Sequence, residues 1–548
     1  MKYISKYFLG LSLMLAAGFS SCTGDLDVPP KDPNQDTPEK LFKNDPRGTM
    51  DRMLAECYQG LATAGYKGAG ESILGFGDAG AGTFTRTIFN LEELTTDHFS
   101  WLQFSDAGYY ELVTMAFAPD NEVMYAAYSR IYGEIALCNE FIRTIQQYRS
   151  YLADGDQAAA DDGIRQAKIL RSLAYFYAIS DFGSAGYVDE TSEAGAAPVQ
   201  YSRADLYNKV VSTLEEVSAE YGDTYTAPAY GYVGKEAADA LLARFYLNAG
   251  VFTGTPAYDK CWNICQKIIA HHQGAGFNNS GLADSYKALF GANNEQYAAQ
   301  GSRVNEILLT VPQDGINLQA YGGSTFYIAA CCGLNAQWTC MVAREQFSNQ
   351  FGFDANGYTN DARAELWKTS KDGFEIGNST IMGNGGFAKG YAPLKYTNYA
   401  YDEFGNIDTE NSPNGSERSF ADADWTVIRL AEIYLNAVEA NVVGNVGNQA
   451  DALKYINYIR ERAGVEAWGV ASLTADNILA ERSRELYGEN IRRTDLVRFG
   501  KYAGGGYVWN WKGGIHDGRD VDAHYNLYPI PSKVISFQNY EQNPGYGK

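Results

Sequence analysis

Ile164-Arg-Gln-Ala-Lys-Ile-Leu-Arg-Ser-Leu-Ala-Tyr-Phe-Tyr-Ala178 puts apolar side chains at 164, 167, 170, 174 and 177, one stripe of a helix that turns every 3.6 residues. Asp424-Trp-Thr-Val-Ile-Arg-Leu-Ala-Glu-Ile-Tyr-Leu-Asn-Ala-Val-Glu-Ala440 repeats the pattern through 427, 431, 434 and 438, and a helix is expected over that whole stretch. Working outward, the same periodicity marks 123–148, 203–221, 235–249, 258–271, 450–463 and 475–489. These stretches fall into pairs with short connections, often with Gly or Pro nearby. The expected fold is therefore mostly α. Helix pairs stack in series and bury their faces against neighbours, as in tetratricopeptide arrays, although no clean repeat of about 34 residues shows.

Helical texture dominates from about 45 to 290 and again from about 425 to 500. Between 291 and 424 it gives way to Gly, Asn, Tyr, Ser and Thr, as in Gly322-Gly-Ser-Thr-Phe-Tyr327 and Met382-Gly-Asn-Gly-Gly-Phe-Ala-Lys-Gly-Tyr391. Only short runs such as Glu306-Ile-Leu-Leu-Thr-Val311 read as strand. A loop-rich, small-strand region this long inside an ordered domain is usually functional, and its many aromatics argue against a disordered linker.

The first residues carry Lys2 and Lys6 ahead of the apolar run Phe8 to Phe19, then Ser20-Ser21-Cys22. This reads as a signal peptide over 1–21. The apolar run is too short to cross a bilayer, which takes roughly 20 residues. A cysteine after two small residues resembles a bacterial lipobox, so Cys22 is expected to be lipidated and to become the new N-terminus; acyl chains hold a protein on a membrane. The alternative is ordinary secretion with Cys22 in a disulfide. Residues 22–44, rich in Pro and Asp, read as an extended tether, followed by one domain over 45–548.

The net charge is −22. Loss of residues 1–21 removes two lysines and no acid, which makes it −24 for the mature chain. Nucleic acid is excluded as a partner, because its binding depends on Lys and Arg neutralising phosphates. The acidic balance favours a neutral ligand, since an anionic one meets repulsion unless a local basic patch screens it. Of eight cysteines, at 22, 57, 138, 261, 265, 331, 332 and 340, lipidation leaves an odd number without CxxC spacing, which argues against a disulfide framework or zinc site. Cys261 and Cys265 read as buried small hydrophobes on one helix face.

Gly75-Phe-Gly-Asp-Ala-Gly80 fits GxGxxG but has no strand–turn–helix around it, and it reads as a loop. GxSxG, HExxH and Walker A sequences are absent, and the five histidines lack helical ligand spacing. No cofactor is expected. A structural calcium ion is the one metal considered, through Asp517, Asp520 and Asp522 or through Asp354 with Asn356, though neither set approaches the EF-hand pattern and solvated acidic loops are the better reading.

Several segments, in order, resemble the SusD/RagB family over most of the mature chain. On the N-terminal side these are Ile131 to Asn139, Ala167 to Tyr177 with Asp181-Phe-Gly183, and Lys235 to Leu247. Farther on, Asp361-Ala-Arg363, Trp425 to Ala440 and Ala452 to Ala463 follow the family pattern. So do Glu481-Arg-Ser-Arg-Glu-Leu-Tyr-Gly-Glu-Asn-Ile-Arg-Arg-Thr-Asp-Leu-Val-Arg-Phe-Gly500, Leu527-Tyr-Pro-Ile-Pro-Ser532 and Gln542-Asn-Pro-Gly-Tyr546. The resemblance implies a SusD-like scaffold of four tetratricopeptide-like helix pairs and a loop-rich face that binds glycan. It also implies attachment to the outer membrane facing the cell surface, and a SusC-like TonB-dependent transporter as partner. Import of a polysaccharide or oligosaccharide without chemistry is the function it implies. Two alternatives stay open: a SusD-like binder of peptides or another nutrient, and a glycoside hydrolase with two carboxylates about 5–10 Å apart. Within 481–500, Arg492, Arg493, Asp495 and Arg498 lie on one short segment, where Arg–carboxylate pairs are expected to fix the last helix to the scaffold.

A neutral glycan site needs exposed aromatic platforms for sugar C–H faces and polar side chains for the hydroxyls. Trp101, Tyr327 and Trp338 lie on non-periodic or loop-rich stretches and are the expected platforms, with Arg86, Asp97 and His98 as hydroxyl partners. Burial of any of these aromatics in a local core is the competing reading, and Asp97 is also placed to cap a turn.

Overall fold

The computed structural model describes residues 36–547 except 66–67, 71, 73–81, 104–105, 194–196, 227, 299–303, 332–333, 335–337, 339, 355–356, 365–366, 368–390 and 414–418. Cys22, the expected signal peptide, most of the expected tether, and the Gly75–Gly80 and Met382–Gly390 stretches lie outside the described residues.

The scaffold helices are α1 (Pro46–Ala62), α2 (Phe84–Glu92), α3 (Glu122–Tyr148), α4 (Gln157–Tyr177), α5 (Arg203–Glu220), α6 (Lys235–Thr253) and α7 (Tyr258–His272). After the loop-rich region, which holds α8 (Gly323–Ala330), come α9 (Leu430–Gly444), α10 (Gln449–Arg462), α11 (Ala475–Leu486) and α12 (Arg492–Arg498). Their starts are set locally. Asp45 accepts the Gly48 N–H with Pro46 in the first turn, Asn121 accepts from Val123 and Met124, and Ser202 and Thr474 cap α5 and α11, which satisfies N–H groups with no partner inside the helix. Gly254 ends α6 and Asn445 follows α9, both in the left-handed region.

Packing runs in series: α1 on α3, α3 on α4, α4 on α5, α5 on α6, α6 on α7, α7 on α9, and α9 on both α10 and α11. The expected stacked helix pairs are present. α9 is the hub, with every residue from Leu430 to Asn441 buried. Cys57, Cys138, Cys261, Cys265 and Cys340 are buried free thiols, and Cys331 is buried as well. Among the described residues no helix is long and apolar enough to cross a membrane.

The strands form antiparallel pairs: β1 (Phe99–Trp101) with β5 (Met341–Ala343), β2 (Ala185–Tyr187) with β3 (Val199–Tyr201), β4 (Ile307–Val311) with β8 (Trp425–Arg429), and β6 (Ala400–Tyr401) with β7 (Ile407–Asp408). β8 corrects the helix expected from Asp424. Trp425 to Arg429 are extended and fully buried, with Val311 opposite Trp425 and Ile307 opposite Arg429. Thr426, Val427 and Ile428 are β-branched and suit a pleated surface, so the helix starts only at Leu430.

Arg429, at the end of β8, enters a buried ion network. Its guanidinium meets Glu489 at 2.9 Å, Glu485 at 2.7 Å and Glu306 at 3.2 Å. Arg462 binds Glu306 at 2.6 Å and Glu485 at 2.5 Å, while Arg363 binds Asp361 and Glu481 at 2.6 Å and Glu485 at 3.3 Å. Burial pushes the carboxyls of Glu481 and Glu485 up, but the surrounding arginines outweigh it and hold both down at about 2. Asp495, between Arg482 and Arg498, is likewise held at about 2. These carboxyls sit below their ordinary range near 4, so the stability they contribute is complete above that range and is lost as pH falls toward 2. The thermal unfolding midpoint should therefore drop steeply between about pH 4 and pH 2. A midpoint unchanged on acidification to pH 2.5 would contradict the ionised network.

Candidate glycan-binding site

Pairing of β1 with β5 brings residues 99–103 beside Trp338. Phe99 lies opposite Ala343, Trp101 opposite Met341, and the Leu102 N–H donates to the Cys340 carbonyl at 2.7 Å. α8 lies behind. Its Ala329 carbonyl accepts the Trp338 N–H at 2.9 Å, and the Ala330 carbonyl accepts from Cys340 at 3.0 Å. At the start of α8 the backbone comes so close to α2 that a Cβ on Gly322 would sit 2.1 Å from the Thr83 hydroxyl, and the Gly323 N–H donates to Thr85 at 2.9 Å. Thr325 of α8 accepts the Ala421 N–H at 2.9 Å, which draws in the segment after Phe420.

The result is a cluster of three half-buried aromatics, Tyr321, Trp338 and Phe420. Tyr321 lies 5.7 Å from Trp338 and 5.0 Å from Phe420 between ring centres. Behind them is the guanidinium of Arg86, 4.7 Å from the Phe326 ring centre, 5.4 Å from Trp338 and 5.9 Å from Trp101. This cation sandwich stiffens the indole from its protein side. On the outer side, exposed Gln103 donates its amide to the Trp338 carbonyl at 3.2 Å. The arrangement offers aromatic edges and faces to solvent with an amide beside them.

Of the residues expected at the site, Trp338 keeps an exposed part and Arg86 backs it, buried rather than facing a ligand. The others are corrected. Trp101 is 2% exposed, stacked on Tyr109 at 4.8 Å and Phe326 at 5.9 Å, with its indole N–H spent on Asp106. Tyr327 is fully buried among Phe89, Phe99 and Tyr396. Neither shows a ring face to solvent, because β1 and α8 are core elements. Asp97 is clamped by Arg492 at 2.7 Å and accepts the Tyr507 hydroxyl at 2.7 Å. Burial pushes its carboxyl up, but the Arg492 charge and hydrogen bonds outweigh that and hold it well below the carboxylate range. His98 is buried between Glu93 at 2.7 Å and Ser483 at 2.8 Å. Both are structural ties. Tyr321 and Phe420 were missed; the only sequence signal was an aromatic beside Gly322-Gly in the polar run from Asn317, and Phe420 carried none.

The arginines of 492–498 do what their spacing suggested: Arg493 pairs with Asp181 at 2.9 Å, and Arg498 pairs with Glu439 and with Asp495 at 2.6 Å. The candidate calcium ligands diverge. Asp520 accepts from Gly506 and from Lys512, Asp522 from His524, and Asp517 pairs with His516. Asn356 lies outside the described residues, and no cluster of three or more His, Cys, Asp or Glu suited to a metal occurs among the described ones.

Residues 344–546 match the sequence model of the SusD family. The starch-binding protein SusD of Bacteroides thetaiotaomicron is 29% identical over 100% of this chain and 99% of its own. Among solved structures, surface glycan-binding protein A from Bacteroides thetaiotaomicron in complex with laminarihexaose is 18% identical, covers 90% of this chain and 99% of its own, and superposes with a TM-score of 0.66. A SusD superfamily protein from Parabacteroides distasonis, 18% identical, gives the same TM-score of 0.66 over 91% of this chain and 99% of its own. With the ordered motifs, the match over residues 344–546, a relative along the full length and the shared fold, the chain is similar to the SusD/RagB family from end to end.

Proposed function

We propose that this protein is a cell-surface lipoprotein that captures a neutral polysaccharide or oligosaccharide and passes it to a SusC-like TonB-dependent transporter. The observation that carries the reading is the half-exposed cluster of Tyr321, Trp338 and Phe420, stiffened by Arg86 and edged by the Gln103 amide. Sugar rings present apolar C–H faces ringed by hydroxyls, and such a cluster answers both. A relative named for starch binding and a neighbour solved with laminarihexaose support a glycan as the ligand class. The signal peptide and Cys22 support a lipid anchor in the outer membrane, with 22–44 as a tether and 45–548 as the binding domain. We infer binding without cleavage.

The reading is tested by titrating the mature protein with starch, fructan, mannan, xylan and laminarin, and by following each for release of reducing ends. One polysaccharide should bind, remain uncleaved, and bind more weakly to Tyr321→Ala by roughly tenfold, the scale of one interface aromatic. Release of reducing ends would replace the reading by a hydrolase; binding of peptides and of no glycan would replace the ligand class.

A further inference from the structure

A second cleft lies where residues 350–352 and 359–361 face α10 and α11, with a volume of about 440 Å³. None of its lining residues belongs to the Trp338 cluster. Ligand pockets commonly span about 300–1,000 Å³, so the space suits one or two sugar rings.

Its walls carry an unusual balance. Arg460 and Arg484 both reach Glu481 behind the wall, which Arg363 already binds, and the lining carboxylate, Asp361, is spent on Arg363. Arg460 is held rigidly: its Nε donates to the Glu466 carbonyl at 2.8 Å and its guanidinium stacks on Trp468 at 4.8 Å. Trp468 is itself pinned, exchanging hydrogen bonds with Asn457 at 2.7 and 3.0 Å. Arg484 uses only one nitrogen, on Glu481, which leaves its Nε and second terminal nitrogen for another acceptor, as Arg460 keeps one terminal nitrogen. Gln350 also lines the cleft, and its amide oxygen is buried with no hydrogen-bond partner. A buried acceptor of that kind costs stability unless a donor reaches it.

We propose that this cleft binds a carboxylate-bearing sugar, a uronic acid, with the carboxylate on Arg460 and Arg484 and a hydroxyl donated to Gln350. The three demands select the class. Guanidiniums take a carboxylate in paired hydrogen bonds, the Gln350 oxygen needs a donor, and Trp468 offers an apolar surface beside them. A neutral sugar leaves the guanidiniums unanswered, and inorganic phosphate brings neither a hydrocarbon ring nor the size. In a chain with a net charge of −22, this is a local basic patch of the kind an anionic ligand requires. The site is independent of the glycan reading above.

The test is titration of the mature protein with galacturonate, glucose and inorganic phosphate, each against Arg484→Gln and Asn477→Asp. Galacturonate should bind roughly tenfold more tightly than glucose or phosphate, should weaken as salt is raised, and should lose roughly tenfold in Arg484→Gln. Asn477 is exposed at the cleft rim in the first turn of α11, where an acid suits the helix; Asn477→Asp should fold normally and still weaken galacturonate by repulsion. Polysaccharide binding at Trp338 should be untouched by both. Galacturonate binding no tighter than glucose, or indifferent to Asn477→Asp in a folded protein, overturns the proposal.

Discussion

Trp338→Ala should lower polysaccharide affinity by roughly 30-fold, the loss of about 2 kcal/mol expected when a central aromatic is removed from a binding surface. The indole is half-buried, with Arg86 fixed against it at 5.4 Å and Tyr321 at 5.7 Å, so its orientation is settled before a ligand arrives. Little affinity is then spent on ordering it. Trp338→Phe should recover part of the loss, because a smaller ring still offers a stacking face. The thermal midpoint should move little, since the ring has one side in solvent. Isothermal titration of both variants checks this. Unchanged affinity in Trp338→Ala would move the site away from this cluster.

Glu485→Ala should destabilise the fold by about 3–5 kcal/mol, measured by urea unfolding. Its carboxylate is fully buried and shared by Arg429 at 2.7 Å, Arg462 at 2.5 Å and Arg363 at 3.3 Å. Removing it leaves six cations, Arg429, Arg462, Arg363, Arg460, Arg484 and Lys395, sharing four carboxylates, Glu306, Glu481, Glu489 and Asp361, with the first three guanidiniums in a place water does not reach. The loss is therefore chiefly the cost of leaving buried positive charge under-compensated, and it should exceed that of Glu140→Ala, whose carboxylate is exposed and pairs with Arg143 at the surface. A change below about 1 kcal/mol in Glu485→Ala would mean that the network is dispensable.

The helices were legible because their signal is local. Apolar spacing in 164–178 acts within a few residues, and the structure has a helix where it pointed. Of the strands, β4 was legible from its apolar run, Glu306 to Val311, but the others were not, because pairing joins distant segments. Trp425 to Arg429 shares its apolar texture with the helix that follows, and only the approach of Ile307 to Val311 makes it extended. The same reason explains the site. Trp101 sits in a stretch that reads as an exposed loop, yet β5, from residues 341–343, turns it into core. Asp97 looked like a hydroxyl partner because its arginine lies 395 residues away. The partial exposure of Trp338 was readable since it falls inside a loop-rich run, while Phe420 is brought beside Tyr321 by folding alone.

The ties that α12 makes give the chain a direction in time. Glu92 accepts from Thr494, Asp97 is held by Arg492, Asp181 by Arg493, and the Tyr528 hydroxyl reaches back to the Leu91 carbonyl. Synthesis begins at the other end, so through most of elongation the first half of the molecule holds acids destined for burial whose counter-ions do not yet exist. The centre can close only after 492–495 emerge, a non-local final step of the kind that folds slowly. For a polypeptide exported as proposed above, that delay is useful, because a chain that cannot finish itself early remains loose enough to thread a narrow channel and locks only once its last segment has arrived.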